Sequence, residues 1–306
     1  MEDGRAIATW VDMTLAILSQ RVPPDDESPM VAAMIDTPAD FRVFRAEREA
    51  ELTESYGWLT LRGFYWLPVE PSPIPGLPGR WRADGSQAHA SLDAAAAEGL
   101  TCNGAPLDGT STLDVAEYGR VPWVDYGEVR VELLRRGGRL AIRVRAVTSP
   151  DRDRFTHVPT FPYDPAWRLR GRFTPYPDQR EVVVDTIRPD LQQIMWPLGE
   201  ITFHAGGVEH RLAVTKGKYG WGVEFRDPTN GDLTEQWRQL HFSRPAPDGN
   251  GEVLLDFNRT LNMWFAFTDH ATCPAPFEGN VITVPVLAGV QRVSTKARHI
   301  DATTAD

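Results

Sequence analysis

The sequence predicts a mainly β protein, an antiparallel β-barrel or two-sheet β-sandwich with N-terminal helices. Three observations lead there. Short runs with apolar residues at every second position recur through the middle and C-terminal parts of the chain. Hairpin-type turn dipeptides, Gly137-Gly138, Gly206-Gly207 and Asn230-Gly231, lie between pairs of these runs. The chain also carries 25 Pro and 25 Gly, so turns are many and long helices few. No period of about 20–50 residues recurs, which disfavours a propeller or a solenoid.

The elements follow in chain order. Ile7, Val11, Leu15 and Leu18 repeat at helical spacing, so 5–20 reads as an amphipathic helix, followed by the proline-broken linker Arg21–Pro29. A second helix is expected over 38–55, with Asp40 as its N-cap. The stretch from Trp66-Leu67-Pro68 to Pro78-Gly79 reads as a proline-rich loop. The first hairpin joins Val129–Leu134 to Leu140–Arg145. Its register pairs Leu133 with Ile142, Val131 with Val144 and Glu132 with Arg143, which makes one face apolar and the other charged. The second joins Ile201–His204 to Glu209–Val214. The third joins Val223–Asp227 to Leu233–Trp237, with Arg226 opposite Glu235. Later strands are expected at Glu252–Phe257, Leu261–Phe267 and Asn280–Val286. Residues 1–38 thus form a helical extension and linker, 39–290 the β-rich domain, and 291–306 a polar, flexible tail.

Composition narrows the partners. Lys and Arg total 32 against 42 Asp and Glu, a net charge of −10. That sign argues against nucleic acid or an anionic membrane surface, because phosphate contacts need clustered cations. No apolar run reaches the length of a membrane span. The two cysteines, Cys102 and Cys273, make neither a disulfide framework nor a zinc cluster. Glu2 and Asp3 stand where a secretory signal would be positive, and a cytoplasmic setting is expected. No cofactor motif is found: Gly217–Gly222 lacks the spacing of a phosphate loop, and no Gly-x-Ser-x-Gly elbow occurs. A homo-oligomer is left open.

Several stretches taken together look familiar. They are Gly57-Trp58-Leu59-Thr60-Leu61-Arg62-Gly63-Phe64-Tyr65-Trp66-Leu67; Arg143-Val144-Arg145 with Ser149-Pro150 and Phe155; Phe161-Pro162-Tyr163-Asp164; Phe225-Arg226-Asp227-Pro228-Thr229-Asn230-Gly231; Asp256-Phe257-Asn258-Arg259-Thr260-Leu261-Asn262; and Ala266-Phe267-Thr268-Asp269-His270-Ala271-Thr272-Cys273-Pro274. Over roughly residues 40–290 the chain resembles the bacterial family called domain of unknown function 1684. The resemblance implies an architecture and candidate positions, not a reaction. Thr234–Leu240 and Asn262–Phe267 depart from the family pattern, replacing small, turn-forming and thiol residues with bulky apolar ones. A divergent member with a more aromatic cavity is the expectation.

The densest polar constellation is Asp256-x-Asn258-x3-Asn262, followed by His270 and Cys273. On a strand, Asp256 and Asn258 share a face, where a carboxylate and a carboxamide can bind a hydroxyl or polarise a carbonyl. The alternative is that they bond loop backbone. His270 is a candidate acid or base near neutral pH. Cys273 is either a nucleophile served by His270 or a small buried hydrophobe. His204 and His210 flank a two-residue turn and so face opposite sides. They meet His241 at a metal only if the turn is longer, and no metal site is expected. Arg143 and Arg145 share a strand face; they hold an anionic substrate group or form a solvated outer face balanced by Glu132. Trp221, Trp237, Arg238, Met263 and Trp264 are candidate cavity residues, with ordinary core packing as the other reading.

These readings combine into a cofactor-independent enzyme of cyclase, isomerase or lyase type acting on a largely apolar small molecule in a β-sheet cavity. Asp256, Asn258, Asn262 and His270 would make the polar contacts. A non-catalytic binding protein for the same ligand class is the first alternative. A hydrolase using His270 with Cys273 or a metal is the second.

Overall fold

A computed structural model describes residues 38–217, 220–245 and 251–293. The chain divides into two compact units, Met1–Arg42 and Val43–Asp306. The expected helix at 5–20 and its linker lie outside the described residues. The second expected helix, α1, spans Ala39–Thr53. It begins before Asp40, so Asp40 sits in the first turn, where its charge complements the helix dipole, and does not cap it. Among the described residues, no helix is long and apolar enough to cross a membrane.

The protein is mainly β, and its sheets are antiparallel. The first sheet orders Leu61–Trp66, Arg139–Ala146, Val129–Arg136, Arg120–Tyr126, Leu100–Cys102 and Ala105–Pro106 side by side. A four-stranded sheet of Ser72–Ile74, Leu77–Ala83, Ala90–Ala94 and Gly109–Leu113 packs with it around Trp81, Leu92, Trp123, Val131, Leu133 and Ile142. Two of its strands occupy the stretch read as a proline-rich loop. Pro73 is tolerated there because Ser72–Ile74 is an edge strand, where a missing N–H breaks no inner ladder. The first hairpin has the expected register, with Leu133 opposite Ile142 and Glu132 opposite Arg143. Gly137 and Gly138 supply the positive φ that its two-residue turn requires.

The second sheet orders Glu252–Asp256, Arg168–Pro175, Gly199–Ala205, Val208–Gly217, Gly220–Phe225, Arg238–Phe242 and Leu261–Asn262. It curls into a half-barrel around Phe203, Leu212, Val223, Phe225, Leu240 and Phe257, closed by Ile282, Val286 and Ala288. The second hairpin also keeps the expected register, Phe203 opposite His210 and His204 opposite Glu209.

The third hairpin differs. Phe225 pairs with Arg238 and Val223 with Leu240, so residues 226–237 form a loop, not a tight turn between strands. Asn230-Gly231 does turn the chain, but within a loop organised by Asp227, whose carboxylate accepts from Thr229 and from the Val286 N–H. Arg226 bonds the backbone of Asn280 and Ile282 and does not pair with Glu235 across a ladder. The strand expected at Leu261–Phe267 ends at Asn262, and a 3-10 turn follows at Trp264–Ala266. Asn280–Val286 is an extended segment with a single bridge, Val281 to Arg226. The start of the expected flexible tail is packed: the Gln291 N–H donates to the Pro159 carbonyl and Val293 is buried.

Candidate functional site

The strand ends at Asp256, so Asn258 lies in a 3-10 turn and not on a shared strand face; the two side chains nevertheless bond each other. Asp256 caps the 3-10 turn Phe257–Arg259, its Oδ1 accepting from the Asn258 backbone N–H (3.2 Å) and from Asn258 Nδ2 (2.9 Å). The Asn258 amide also clasps both backbone groups of Asp164 at 2.9 Å. Asn262 Nδ2 donates to the Gln291 carbonyl at 3.0 Å, while its buried Oδ1 has no partner. Asn258 and Asn262 line a crevice with Phe44, Arg45, Arg48 and Phe267, whose free space of about 20 Å³ is water-sized. His270 is not on that lining. It is half-buried near Asp269, Arg188 and Arg62, and burial pulls its imidazole below the ordinary value.

Cys273 is buried, and burial raises its thiol to about 11. At neutral pH it is therefore a thiol, not a nucleophilic thiolate. It packs with Trp237, Met263 and Phe265, and the partly buried Trp264 lies against the same cluster. Trp264 stacks on Trp58 at 4.5 Å, and the Arg48 guanidinium lies 3.8 Å from its ring. Trp221 lies apart, packing on Phe173 and the half-barrel core. Arg238 is fully buried. It pairs with Asp227 at 3.1 Å and donates to the carbonyls of Val286, Ala288 and Val290, which ties the closing segment to the sheet.

Arg143 and Arg145 are not on a solvated outer face. They are 2% and 1% exposed, because Trp58 and Thr272 cover that side of the first sheet. Arg145 takes Glu132 at 2.9 Å and the Gly57 carbonyl at 2.7 Å. Glu132 therefore bonds Arg145 and not its cross-strand neighbour Arg143. Arg143 is left with the Thr272 hydroxyl at 2.9 Å and an unpartnered Nε. Burial, with Arg136 and Arg145 nearby, pulls its pKa down to about 9, which leaves it charged at neutral pH.

A further group, not singled out as a site from the sequence, lies on the outer face of the half-barrel. Thr215 pairs with Gly222, Gly222 with His241, and Glu224 with Gln239, which places Thr215, Glu224, Gln239 and His241 on one face of three adjacent strands. The Asn280 side chain bonds Ala213 N–H, Ala213 C=O and Glu224 C=O, bridging the strands where their ladder stops. Burial pushes the Glu224 carboxyl up, against a 3.5 Å contact from Thr215 Oγ1. His241 reaches Gln239 Oε1 at 3.1 Å. Burial, reinforced by the positive charge of Arg48, pulls its imidazole down to about 4. Glycines make room for it: a Cβ on Gly222 would stand 2.9 Å from His241 Nδ1, and one on Gly217 3.3 Å from its Cε1. Glu224 and His241 both keep some surface open. A carboxyl whose hold on its proton is strengthened, on the same face as an imidazole whose hold is weakened, offers an acid and a base together.

His204 is exposed and His210 buried on opposite faces, and no three His, Cys, Asp or Glu gather as metal ligands among the described residues. A comparison with curated proteins finds no match. Among solved structures, the chain is similar to the solution structure of an uncharacterized protein of Haloarcula marismortui. That match has 25% identity over 46% of this chain and 78% of that one, with a TM-score of 0.39. The family resemblance expected from residue 40 is matched from residue 153, so it takes in the half-barrel, Glu224, His241 and the Asp256–Cys273 stretch, but not the first sheet. Over residues 153–291, just under half of its length, the chain matches the model of the family described as Protein of unknown function (DUF1684).

Proposed function

We propose that the chain is an enzyme that moves a proton on a small, largely apolar molecule, an isomerase or lyase, using side chains of the Glu224–His241 face. The observation that carries this reading is the placement of those two groups on neighbouring strands, with opposite displacements of their proton affinities. A neutral imidazole accepts a proton from carbon next to a carbonyl. A protonated carboxyl donates a hydrogen bond to the carbonyl oxygen as charge develops there. Gln239, bonded to His241 Nε2, orients the ring. Trp237 and Met263 flank the paired strands Arg238–Phe242 and Leu261–Asn262 and, with Phe265, offer apolar surface at that end. The Asp256–Asn258 pair then serves as scaffold, since its polar atoms bond each other and the Asp164 backbone.

The test is conversion of 3-cyclohexenone to conjugated 2-cyclohexenone, followed by the ultraviolet absorbance of the enone. Wild type should accelerate it, and Glu224→Gln and His241→Asn should each lose about 100-fold or more, the usual scale of acid–base catalysis. Equal rates for wild type and both variants would exclude the chemistry. Binding of the ketone without turnover would favour the non-catalytic binding protein.

A further inference from the structure

Four arginines are buried among the described residues: Arg48, Arg143, Arg145 and Arg238. Three meet a carboxylate. Arg48 lies 2.7 Å from Glu51, Arg145 2.9 Å from Glu132, and Arg238 3.1 Å from Asp227. Arg143 meets no carboxylate: it bonds the neutral hydroxyl of Thr272, at 2.9 Å, and faces the Trp58 ring at 5.2 Å. Its cross-strand neighbour Glu132 is taken by Arg145 on one oxygen and approached by Arg120 at 3.8 Å on the other. A buried cation without a counter-charge is costly, and folded proteins ordinarily supply one. Arg238 also leaves an Nε unpaired, but its charge is met by Asp227.

A second donor points to the same locality. Trp237 is 4% exposed, and its indole Nε1 has no acceptor. Trp237 packs in one cluster with Cys273, the residue after the Thr272 that holds Arg143. The Thr272-Cys273 dipeptide is thus held by the guanidinium on one residue and packed on the indole with the next. Two unsatisfied N–H donors, one of them charged, thus lie beside one apolar cluster, and Trp237 directly precedes the strand that carries Gln239 and His241.

We infer that Arg143 and Trp237 form the anion-binding end of that site and that its substrate carries a carboxylate on an apolar body. The inference rests on reading the Glu224–His241 face as the site. The carboxylate oxygens accept from Arg143 Nε and Trp237 Nε1, and Met263 and Phe265 pack against the apolar part. This supplies the counter-charge that the other three buried arginines receive from the chain itself.

The test compares phenylacetate with its neutral isostere phenylacetamide by isothermal titration. Wild type should bind phenylacetate about tenfold or more tightly than the amide, the scale of one charge-assisted hydrogen-bonded contact. Arg143→Gln should remove that preference. Trp237→Phe, which keeps the ring and deletes only the N–H, should weaken phenylacetate severalfold and leave the amide unchanged; it also serves if Arg143→Gln does not fold. Glu224→Gln should keep the preference, so a protein that prefers the carboxylate yet fails the enone assay retains the anion site and loses the acid–base reading. Equal affinity of wild type for both probes, binding of neither, or an unchanged preference in Arg143→Gln and Trp237→Phe would each overturn the inference.

Discussion

Replacing Asp227 with Asn removes one charge from a fully buried ion pair while keeping its shape, and the structure sets the cost. One carboxylate oxygen accepts from Arg238 Nη2 (3.1 Å) and Asn230 Nδ2 (3.3 Å). The other accepts from the Thr229 N–H (3.3 Å), Thr229 Oγ1 (2.8 Å) and the Val286 N–H (2.9 Å). An amide turns one oxygen into an NH₂ group. Whichever way it flips, a donor faces other donors, and Arg238 loses its counter-charge. Breaking a buried pair costs roughly 3–5 kcal/mol, and each hydrogen bond left unmade about 1–3 kcal/mol. These terms overlap, so a loss of about 4 kcal/mol is expected, against total stabilities of about 5–15 kcal/mol. Urea unfolding followed by tryptophan fluorescence should show a much lower midpoint with an unchanged slope. Arg238 holds the carbonyls of Val286, Ala288 and Val290, so amide exchange in 286–290 should accelerate most. A loss under about 1 kcal/mol, or uniform exchange, would refute the view that this pair pins the closing segment to the half-barrel.

Other outcomes follow from the same geometry. The folded pKa of His241, about 4, lies below its ordinary 6.5, so between those values the unfolded chain binds the proton and the folded one does not. Stability should be full above about pH 6.5 and fall toward pH 4, by about 3 kcal/mol from this group, and His241→Asn should flatten that fall in pH-dependent urea titrations. Glu224 has the opposite sign: its raised pKa makes its contribution decline as pH climbs past its ordinary 4.5, a slope that Glu224→Gln should remove. Iodoacetamide should label Cys102 in the native protein and Cys273 only after denaturation, as intact-mass spectrometry will show. Gly222→Ala should displace the His241 ring, shift its imidazole NMR signals, and lower enone isomerisation more than it lowers stability.

How much of this was legible in the sequence depends on what a turn and an alternation can specify. Gly137-Gly138 and Gly206-Gly207 each allow a two-residue turn with positive φ, and strand pairing follows by counting, so both registers were readable. Asn230-Gly231 misled because the same dipeptide also turns a longer loop. The distinguishing cue was upstream, in Asp227-x-Thr229-Asn230, three side chains able to satisfy one another, with Arg238 as the buried charge that Asp227 must meet. The strand expected over Leu261–Phe267 failed for a local reason: an aromatic run fits a packed 3-10 turn as readily as a strand, and periodicity does not separate them.

The sites were less legible, because alternation states which residues share a face and not what covers it. Arg143 and Arg145 were correctly set opposite the apolar face, and water was the default covering. Trp58 and Thr272, far away in sequence on either side, supply the covering instead, so a row of arginines that looked solvated is buried. Glu224 was hidden in the same way, as one acid in the apolar strand Gly220–Phe225, and His241 was weighed only as a metal ligand with His204 and His210. One cue was present. Gly217 and Gly222 share their face, and small residues beside a polar ring have no use on a surface open to water, where a side chain of any size fits. Bare backbone there is explained by a ring so close that a Cβ on either glycine would crowd it. By that argument, glycines placed on the polar side of a strand identify this site better than the polar residues themselves.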